Sequence, residues 1–418
     1  MLGLRSGTVR LYPHEKAWET EAAETIARLK EILGDTADDV QHVGSTAIRT
    51  IMAKPIVDIA AAVKSLDAVL EKQAALEKAG FYYRPQTDLA QQLLFACGSR
   101  YDGTGDLQTH FIHVVKTDGG AWRDYLNFRD YMNANRAAAK EYEALKLRLA
   151  AECPIDAGRE HYLAGKHGFI QSALRKATVW SYLGKTIRIR IDRPIGYVHR
   201  KGDYTLTYPI NYGYIPGVPG GDGEDLDVYL LGVNEPVREA ECRVIGVVHR
   251  RDDNEDKLIA APEGTSFTKR EMEDAVRFQE QWYDTFVQTQ RIFLHPVEGE
   301  FTVCKLPDFS GVDLSKPFRF TAATDTEFSL VCPAEDAPQT TTDREDGWRM
   351  FGVGGQLDFS LVGILARLTG TLAEEKIPVF ALSTFDTDYL MVKSGDFGRA
   401  ERAFGAAGYP VTEPIRTR

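Results

Sequence analysis

The sequence predicts a multidomain protein of mixed α/β and α+β class, with a small β-barrel between two larger helix-and-strand modules. Three observations predict it. At 418 residues the chain exceeds what one hydrophobic core ordinarily organises. Its first and last thirds alternate helical spacing with short apolar runs. Its middle third strings short strands between Gly and Pro and contains one helix, the pattern of a small closed barrel.

The first module spans residues 1–177. Helical periodicity runs from Ala17 to Leu33 and through Trp122 to Ala151, where Tyr125, Phe128, Met132, Tyr142, Leu145 and Leu149 recur at helical spacing. The apolar runs Pro55 to Val63 and His110 to Val115 read as strands. The second module, residues 178–296, opens with Thr186-Ile-Arg-Ile-Arg-Ile-Asp192. Strict alternation there marks a half-buried strand. Its helix is expected over Lys269 to Phe286. In the third module, residues 297–418, Leu361, Leu365, Leu368 and Leu372 give a helix over Phe359 to Lys376 one apolar face. Strands are expected at Pro378 to Ser383 and Tyr389 to Lys393, and a last helix through Arg399 and Phe404. The Pro-, Thr- and Asp-rich stretch from Pro333 to Asp346 reads as a surface loop.

Composition narrows the function classes. With 43% hydrophobic and 27% charged residues the chain is globular, and its net charge of −11 argues against a nucleic-acid surface. Small phosphorylated ligands need only a local basic pocket. Five scattered cysteines lack zinc-site spacing and suggest no disulfide framework. No segment has the length and apolarity of a membrane span or signal peptide, so a cytoplasmic location without membrane contact is expected.

The densest chemistry lies at Tyr208-Pro-Ile-Asn-Tyr-Gly-Tyr-Ile-Pro216 and Asp222-Gly-Glu-Asp-Leu-Asp227. Four carboxylates within six residues repel one another unless a cation sits among them. Hard oxygen ligands beside a rigid strand suit Mg²⁺, which binds few carboxylates and keeps positions for water and phosphate. This pattern points to metal-assisted phosphoryl chemistry. The bland reading of Asp222-Gly223 is a solvated turn.

These runs resemble the active-site segment of soluble family I inorganic pyrophosphatases, and Val244 to Lys257 resembles that family's Gly-Val, acidic stretch and Asp-x-Lys. The resemblance implies an OB-like barrel and hydrolysis of inorganic pyrophosphate. It implies metal ligation by Asp222, Glu224 and Asp227, with Asp227 also orienting the attacking water. Asp252 or Asp253, with Asp256, become further metal ligands. Tyr212 and Lys257 become phosphate contacts and join Asp227 in catalysis. Departures are visible: Glu224 and Asp225 stand where the family pattern has Asp and Pro, and the family's upstream Lys-Tyr-Glu element and phosphate-binding Arg have no match. Arg188, Arg190, Arg193 or the run His199-Arg200-Lys201 are the available substitutes, with Arg200 and Lys201 taken as phosphate contacts.

Gln41-His-Val-Gly-Ser-Thr-Ala-Ile48 and Ala53-Lys-Pro-Ile-Val-Asp-Ile59, with matches through Ile170, resemble the GrpB family, which implies a nucleotidyltransferase-like fold. Gly44 and Ser45 form a turn suited to phosphate, Lys54 is a phosphate contact and Asp58 a metal ligand, so a bound nucleotide is expected. The partner position is Ala60, which binds no metal. His110 and His113, three apart on a strand, point to opposite faces and read as structural. Gly355 to Ala366 and Ile377 to Val392 resemble ACT domains, ferredoxin-like βαββαβ units that bind amino acids. The third module is long enough for two in tandem. Asp358, Thr384, Asp386 and Asp388 are the ligand contacts this implies, against a plain hairpin-turn role for Asp386 and Asp388.

Together these readings predict a Mg²⁺-dependent pyrophosphatase fused to a nucleotidyltransferase-like domain and an amino-acid-sensing region, expected to form homo-oligomers. The alternatives are a non-catalytic, amino-acid-responsive regulator built on degenerate enzyme folds, or a hydrolase of another pyrophosphate compound.

Overall fold

The computed structural model describes all residues except 86–91, 99–106, 153–158, 203, 251, 355–362, 386, 413 and 416–418. Two compact units divide the chain: Met1–Asn133 with Ala138–Ser181, and Ala134–Ala137 with Tyr182–Arg418.

In the first unit the strands are β1 (Leu4–Arg5), β2 (Ala37–Val43), β3 (Val57–Val63), β4 (Tyr82–Tyr83), β5 (Gln92–Gly98) and β6 (Leu107–Lys116). They form one sheet in the order β2-β3-β6-β5-β4, with β1 paired to β6. Central β3 runs parallel to β6. From Ile59 to Val63 it is buried on both faces, as a continuous apolar run requires. Helix α1 (Lys16–Leu33) sets Trp18, Ala22, Leu29 and Leu33 into the core with Ile59, Ala61, Val63, Ile112 and Val114. Short helices α2 (Leu66–Leu70) and α3 (Gln73–Lys78) follow β3. The single helix expected over Trp122 to Ala151 is two, α4 (Gly120–Ala134) and α5 (Arg136–Glu152), and α6 (Arg159–Tyr182) completes the set.

The second unit begins with the barrel. Its strands are β7 (Thr186–Arg193), the hairpin β8 (Val198–Lys201) and β9 (Tyr204–Thr207), β10 (Asn211–Pro219), β11 (Asp225–Leu230), β12 (Glu239–Arg250) and β13 (Lys257–Ala261). The order β13-β11-β10-β7-β12 closes on itself because β12 also pairs with β13. Helix α7 (Lys269–Glu280) packs Met272 and Val276 into the same core as Tyr208, Tyr212, Tyr229, Val248 and Ile259. It stops six residues before the expected end. Asp252 Oδ1 accepts from the Asp284 amide at 3.0 Å, and the β-branched run beyond pairs with β12 as β14 (Thr285–Gln288).

The last segment is a sheet of β15 (Phe293–Leu306), β16 (Phe320–Ala323), β17 (Phe328–Pro333), β18 (Asp343–Gly354), β19 (Phe380–Ser383) and β20 (Asp388–Lys393), in the order β16-β17-β15-β18-β20-β19. Helices α8 (Ile364–Glu374) and α9 (Phe397–Ala406) cover one face. Alternation along the strands separates the faces: Phe351, Val353, Leu390 and Val392 pack with the helices, and Met350, Tyr389 and Met391 pack on the other side. The tandem expected here is therefore a single sheet. Between β15 and β17 the described residues include no helix, so β15, β16 and β17 extend the sheet of one βαββα unit instead of building a second.

Candidate functional site

The barrel sequence folds so that its chemistry converges at β10, β11 and β13. Gly213 in β10 is required by packing: a Cβ there would lie 1.8 Å from the Arg190 carbonyl of β7. Asn211 is fully buried and braces the loops, its Oδ1 accepting from Ile195 N at 3.0 Å and its Nδ2 donating to the carbonyls of Val233 and Glu235 at 3.1 and 2.9 Å. Between these two residues Tyr212, 1% exposed, turns into a cluster with Tyr208 and Tyr229 at ring separations of 5.4 and 5.1 Å.

Two cations flank the Tyr212 ring. Lys257 Nζ lies 5.0 Å from its centroid and the Arg193 guanidinium carbon 5.1 Å. Lys257, 2% exposed, donates to the Tyr212 hydroxyl and to Asp227 Oδ2 at 2.8 Å, and pairs with Glu255 Oε1 at 3.1 Å. An ammonium has three donors, so these three partners use all of them. Arg193 donates to the Tyr208 hydroxyl at 2.7 Å while its side chain stays 32% exposed.

Asp227 and Glu255 share this ammonium and touch each other. Burial raises the Asp227 carboxyl, but the Lys257 charge and the surrounding hydrogen bonds more than offset it, holding Asp227 below the usual carboxylate range. Burial and the bond to Asp227 push Glu255 up. Two carboxylates this close repel when both are ionised, and a cation placed between them relieves that repulsion. Burial, reinforced by Asp227, drives the Tyr212 phenol well above its ordinary value, so it serves as a neutral hydrogen-bonding group.

Behind Glu255 stands a second network. Arg250 donates through Nη1 to Glu255 at 2.7 Å and Asp253 at 3.0 Å, and grips Glu280 of α7 with two bonds of 2.8 and 2.7 Å. Glu280 also accepts from the Tyr229 hydroxyl, and Arg250 stacks 3.7 Å from the Tyr283 ring centroid. These contacts raise the Arg250 pKa despite its burial. The helix thereby fixes the rotamer of an acidic group in the barrel.

The sequence-predicted residues divide accordingly. Tyr212, Asp227 and Lys257 are brought together. Asp222 and Glu224 are exposed, and Asp222 Oδ1 accepts from the Glu224 amide at 3.0 Å, which is the turn role. Their loop nevertheless lies against the other acidic loop: Gly221 passes so near that a Cβ would stand 1.8 Å from the Asn254 carbonyl. Asp256 is engaged by His249 Nδ1 at 2.7 Å and Asp252 by the Asp284 amide, so neither joins the Asp227 cluster. Among the described residues Asp253 meets Arg250 of that network and its own neighbour Asn254. Glu255 takes the central place. It is one of four acids before Lys257, and no periodicity distinguishes it. Arg250 and Glu280, thirty residues apart, gave no local signal. Arg200 lies exposed on the β8–β9 hairpin, a separate two-stranded ribbon, and the Lys201 side chain lies outside the described residues.

Among the described residues no group of three or more His, Cys, Asp or Glu forms a ready metal cage. The donor set still fits Mg²⁺, which takes one or two carboxylates and completes its shell with water and phosphate. Asp227 and Glu255, both in contact with Lys257 Nζ, are the pair that would hold it.

In the first unit Gly44, at φ +70°, brings the Gly-Ser turn onto Asp58, where a Cβ would lie 2.4 Å from Oδ2. Asp58 pairs with His113 at 3.3 Å, and Lys54 lies 5.2 Å from the Tyr162 ring centroid. His110 is instead buried beside Thr25 at 3.3 Å, away from His113 as their spacing predicts. Ser45 hydrogen-bonds Tyr142, and Ala60 is buried between Gln41 and His113 in the sheet. In the last segment Thr384 closes a turn onto the Thr387 carbonyl at 2.7 Å and Asp388 accepts from Ser383 at 2.6 Å. Asp358 and Asp386 lie outside the described residues.

Family models match the chain in three places: the GrpB protein model over residues 8–176, the inorganic pyrophosphatase model over 184–295 and an ACT domain model over 343–404. Glutamate-rich protein GrpB of Alkalihalophilus pseudofirmus is 37% identical over 179 residues, 42% of this chain and 99% of that protein. UPF0157 protein YqkA of Bacillus subtilis is 31% identical over 186 residues, covering 43% of this chain but only 52% of that one. An inorganic pyrophosphatase structure from Neisseria gonorrhoeae aligns with 23% of this chain and 72% of its own at 24% identity and a TM-score of 0.19. No described helix is long and apolar enough to cross a membrane. The chain belongs to the GrpB family, and its GrpB domain is followed by a pyrophosphatase-family barrel and an ACT domain, in that order.

Proposed function

We propose that the barrel hydrolyses inorganic pyrophosphate to phosphate with Mg²⁺ as cofactor. The observation that carries this reading is the Tyr212–Lys257–Asp227–Glu255 cluster, two carboxylates and a buried ammonium around one phenol. Asp227 and Glu255 would hold the metal, which supplies charge neutralisation for the phosphates and a more acidic water. When both carboxylates are so engaged, Lys257 is released from two partners and can donate to a phosphate oxygen. Arg193, partly exposed across the Tyr212 ring and among the basic residues the sequence offered, takes the phosphate-binding part in place of Arg200 and Lys201. Tyr212, kept protonated, donates to the same anion. Asp227, held ionised, accepts the proton of the attacking water. Arg250, fixed by Glu280, keeps Glu255 aimed at the site.

Phosphate release from pyrophosphate, with and without Mg²⁺, tests this in wild type and Asp227→Asn. Metal-dependent release that disappears in the variant is expected. A folded protein that binds Mg²⁺ without releasing phosphate would favour another pyrophosphate substrate or a regulatory role.

For the other domains we infer nucleotide binding at Gly44, Ser45, Lys54 and Asp58, supported by the close approach of Gly44 to Asp58. Amino-acid binding by the ACT domain, a cytoplasmic location and homo-oligomerisation remain parts of the same proposal. Transferases release pyrophosphate, so a tethered hydrolase would draw such a reaction forward at high effective concentration.

A further inference from the structure

Within the second unit a cavity of about 910 Å³ opens where the barrel meets the C-terminal sheet and helices. Its size suits a small organic ligand. Four cationic side chains line it: Arg243 from β12, Lys269 from α7, Arg291 from the segment after β14 and Arg367 from α8. Among the described lining residues there is no carboxylate, in a chain whose net charge is −11. Two of these cations pair with acids outside the lining: Arg243 with Glu263 at 3.1 Å and Lys269 with Glu273 at 3.4 Å. Arg243 and Glu263 are 50% and 63% exposed, so their pair is weak and rearranges at little cost. Apolar side chains complete the wall, among them Phe267, Met272 and Ile364.

Concentrated positive charge beside an apolar and aromatic surface is the chemistry that recognises a phosphate joined to a flat, weakly polar body. We propose that this cavity binds a nucleoside phosphate. The site is separate from the turn at Thr384 and Asp388, neither of which lines it, and from the Asp227 cluster. It lies on two elements that reach that cluster. Strand β12 carries Arg243 at the cavity and Arg250 at its other end, and α7 carries Lys269 at the cavity and Glu280 at its other end. The far wall is stitched to the barrel, since Lys269 Nζ donates to the Gly405 carbonyl at 2.7 Å and Thr289 N to that of Gly408 at 3.3 Å.

The test is calorimetric titration of the full chain with ADP in metal-free buffer, for wild type, Arg243→Glu and Arg367→Glu, with adenosine as the phosphate-free control. Both arginines are exposed, and Arg243→Gln and Arg367→Gln serve if a charge reversal disturbs folding. The proposal expects ADP binding by wild type, weakening of at least about tenfold in each variant, and much weaker binding of adenosine. It is overturned if wild type takes up no ADP, if adenosine binds as well as ADP, or if the variants bind like wild type, which would place the nucleotide elsewhere. None of these outcomes depends on pyrophosphate hydrolysis, and phosphate release by the two variants without nucleotide should match wild type.

Discussion

At Lys257 three demands meet in one ammonium, and the geometry ranks the acids around it. Asp227 and Glu255 touch Lys257, whereas Asp252 and Asp256 are engaged by Asp284 and His249. Glu255→Gln should therefore raise the Mg²⁺ concentration for half-maximal phosphate release by about tenfold or more and lower kcat by about 10²-fold, within the range for losing one preorganised electrostatic group. Asp252→Asn should change either by less than about threefold. Metal titrations of phosphate release decide, and a larger effect at Asp252 would sink this ranking. Asp227, Tyr212 and Lys257 were legible because their motifs are local, with each residue next to others of the signature. Glu255 was not, since four acids within five residues give no phase, and only the fold decides which side chain faces inward. Arg250 and Glu280 were invisible for another reason: their bond joins a strand to a helix thirty residues on.

Elements carry the site by two kinds of close approach. In β10, Gly213 lets β7 pass. Gly213→Ala must separate paired strands and should destabilise the barrel by about 1–3 kcal/mol, read by denaturant unfolding. Gly221 instead lets the Asp222 loop rest on the Asn254 loop. Gly221→Ala should cost less stability than Gly213→Ala but more activity, because a loop can give way where a closed sheet cannot. The opposite ordering would mean that the acidic loops act separately. Helix α7 begins with a full capping box, in which Thr268 and Glu271 satisfy each other's backbone amides. Thr268→Ala should cost about 1 kcal/mol. A site dependent on Glu280, at the far end of that helix, should lose little activity beside the loss of stability.

Across the whole molecule the modular order was legible because each module carries its own local motifs and periodicity. The single C-terminal sheet was not, because β15 and β17 have the alternation of strands in any sheet and only pairing shows that they join one. Both units share one pH liability. Burial pushes His42 and His110 in the first unit, and His295 in the second, down to about 4 from an ordinary 6.5. His295 is 2% exposed, with Nδ1 at 2.7 Å from the Thr412 hydroxyl. Because the folded pKa is depressed, the unfolded chain binds the extra proton between about pH 6.5 and 4, so stability is fully present above 6.5 and falls as pH drops through that window. Each such histidine costs up to about 2 kcal/mol by pH 5. Urea unfolding at pH 7.5 and 5 should therefore show both units weakened at pH 5. His295→Gln should flatten the dependence of the second unit and leave that of the first unchanged, and His110→Gln should do the reverse. If neither substitution alters the pH slope, carboxylates and not buried imidazoles govern acid unfolding.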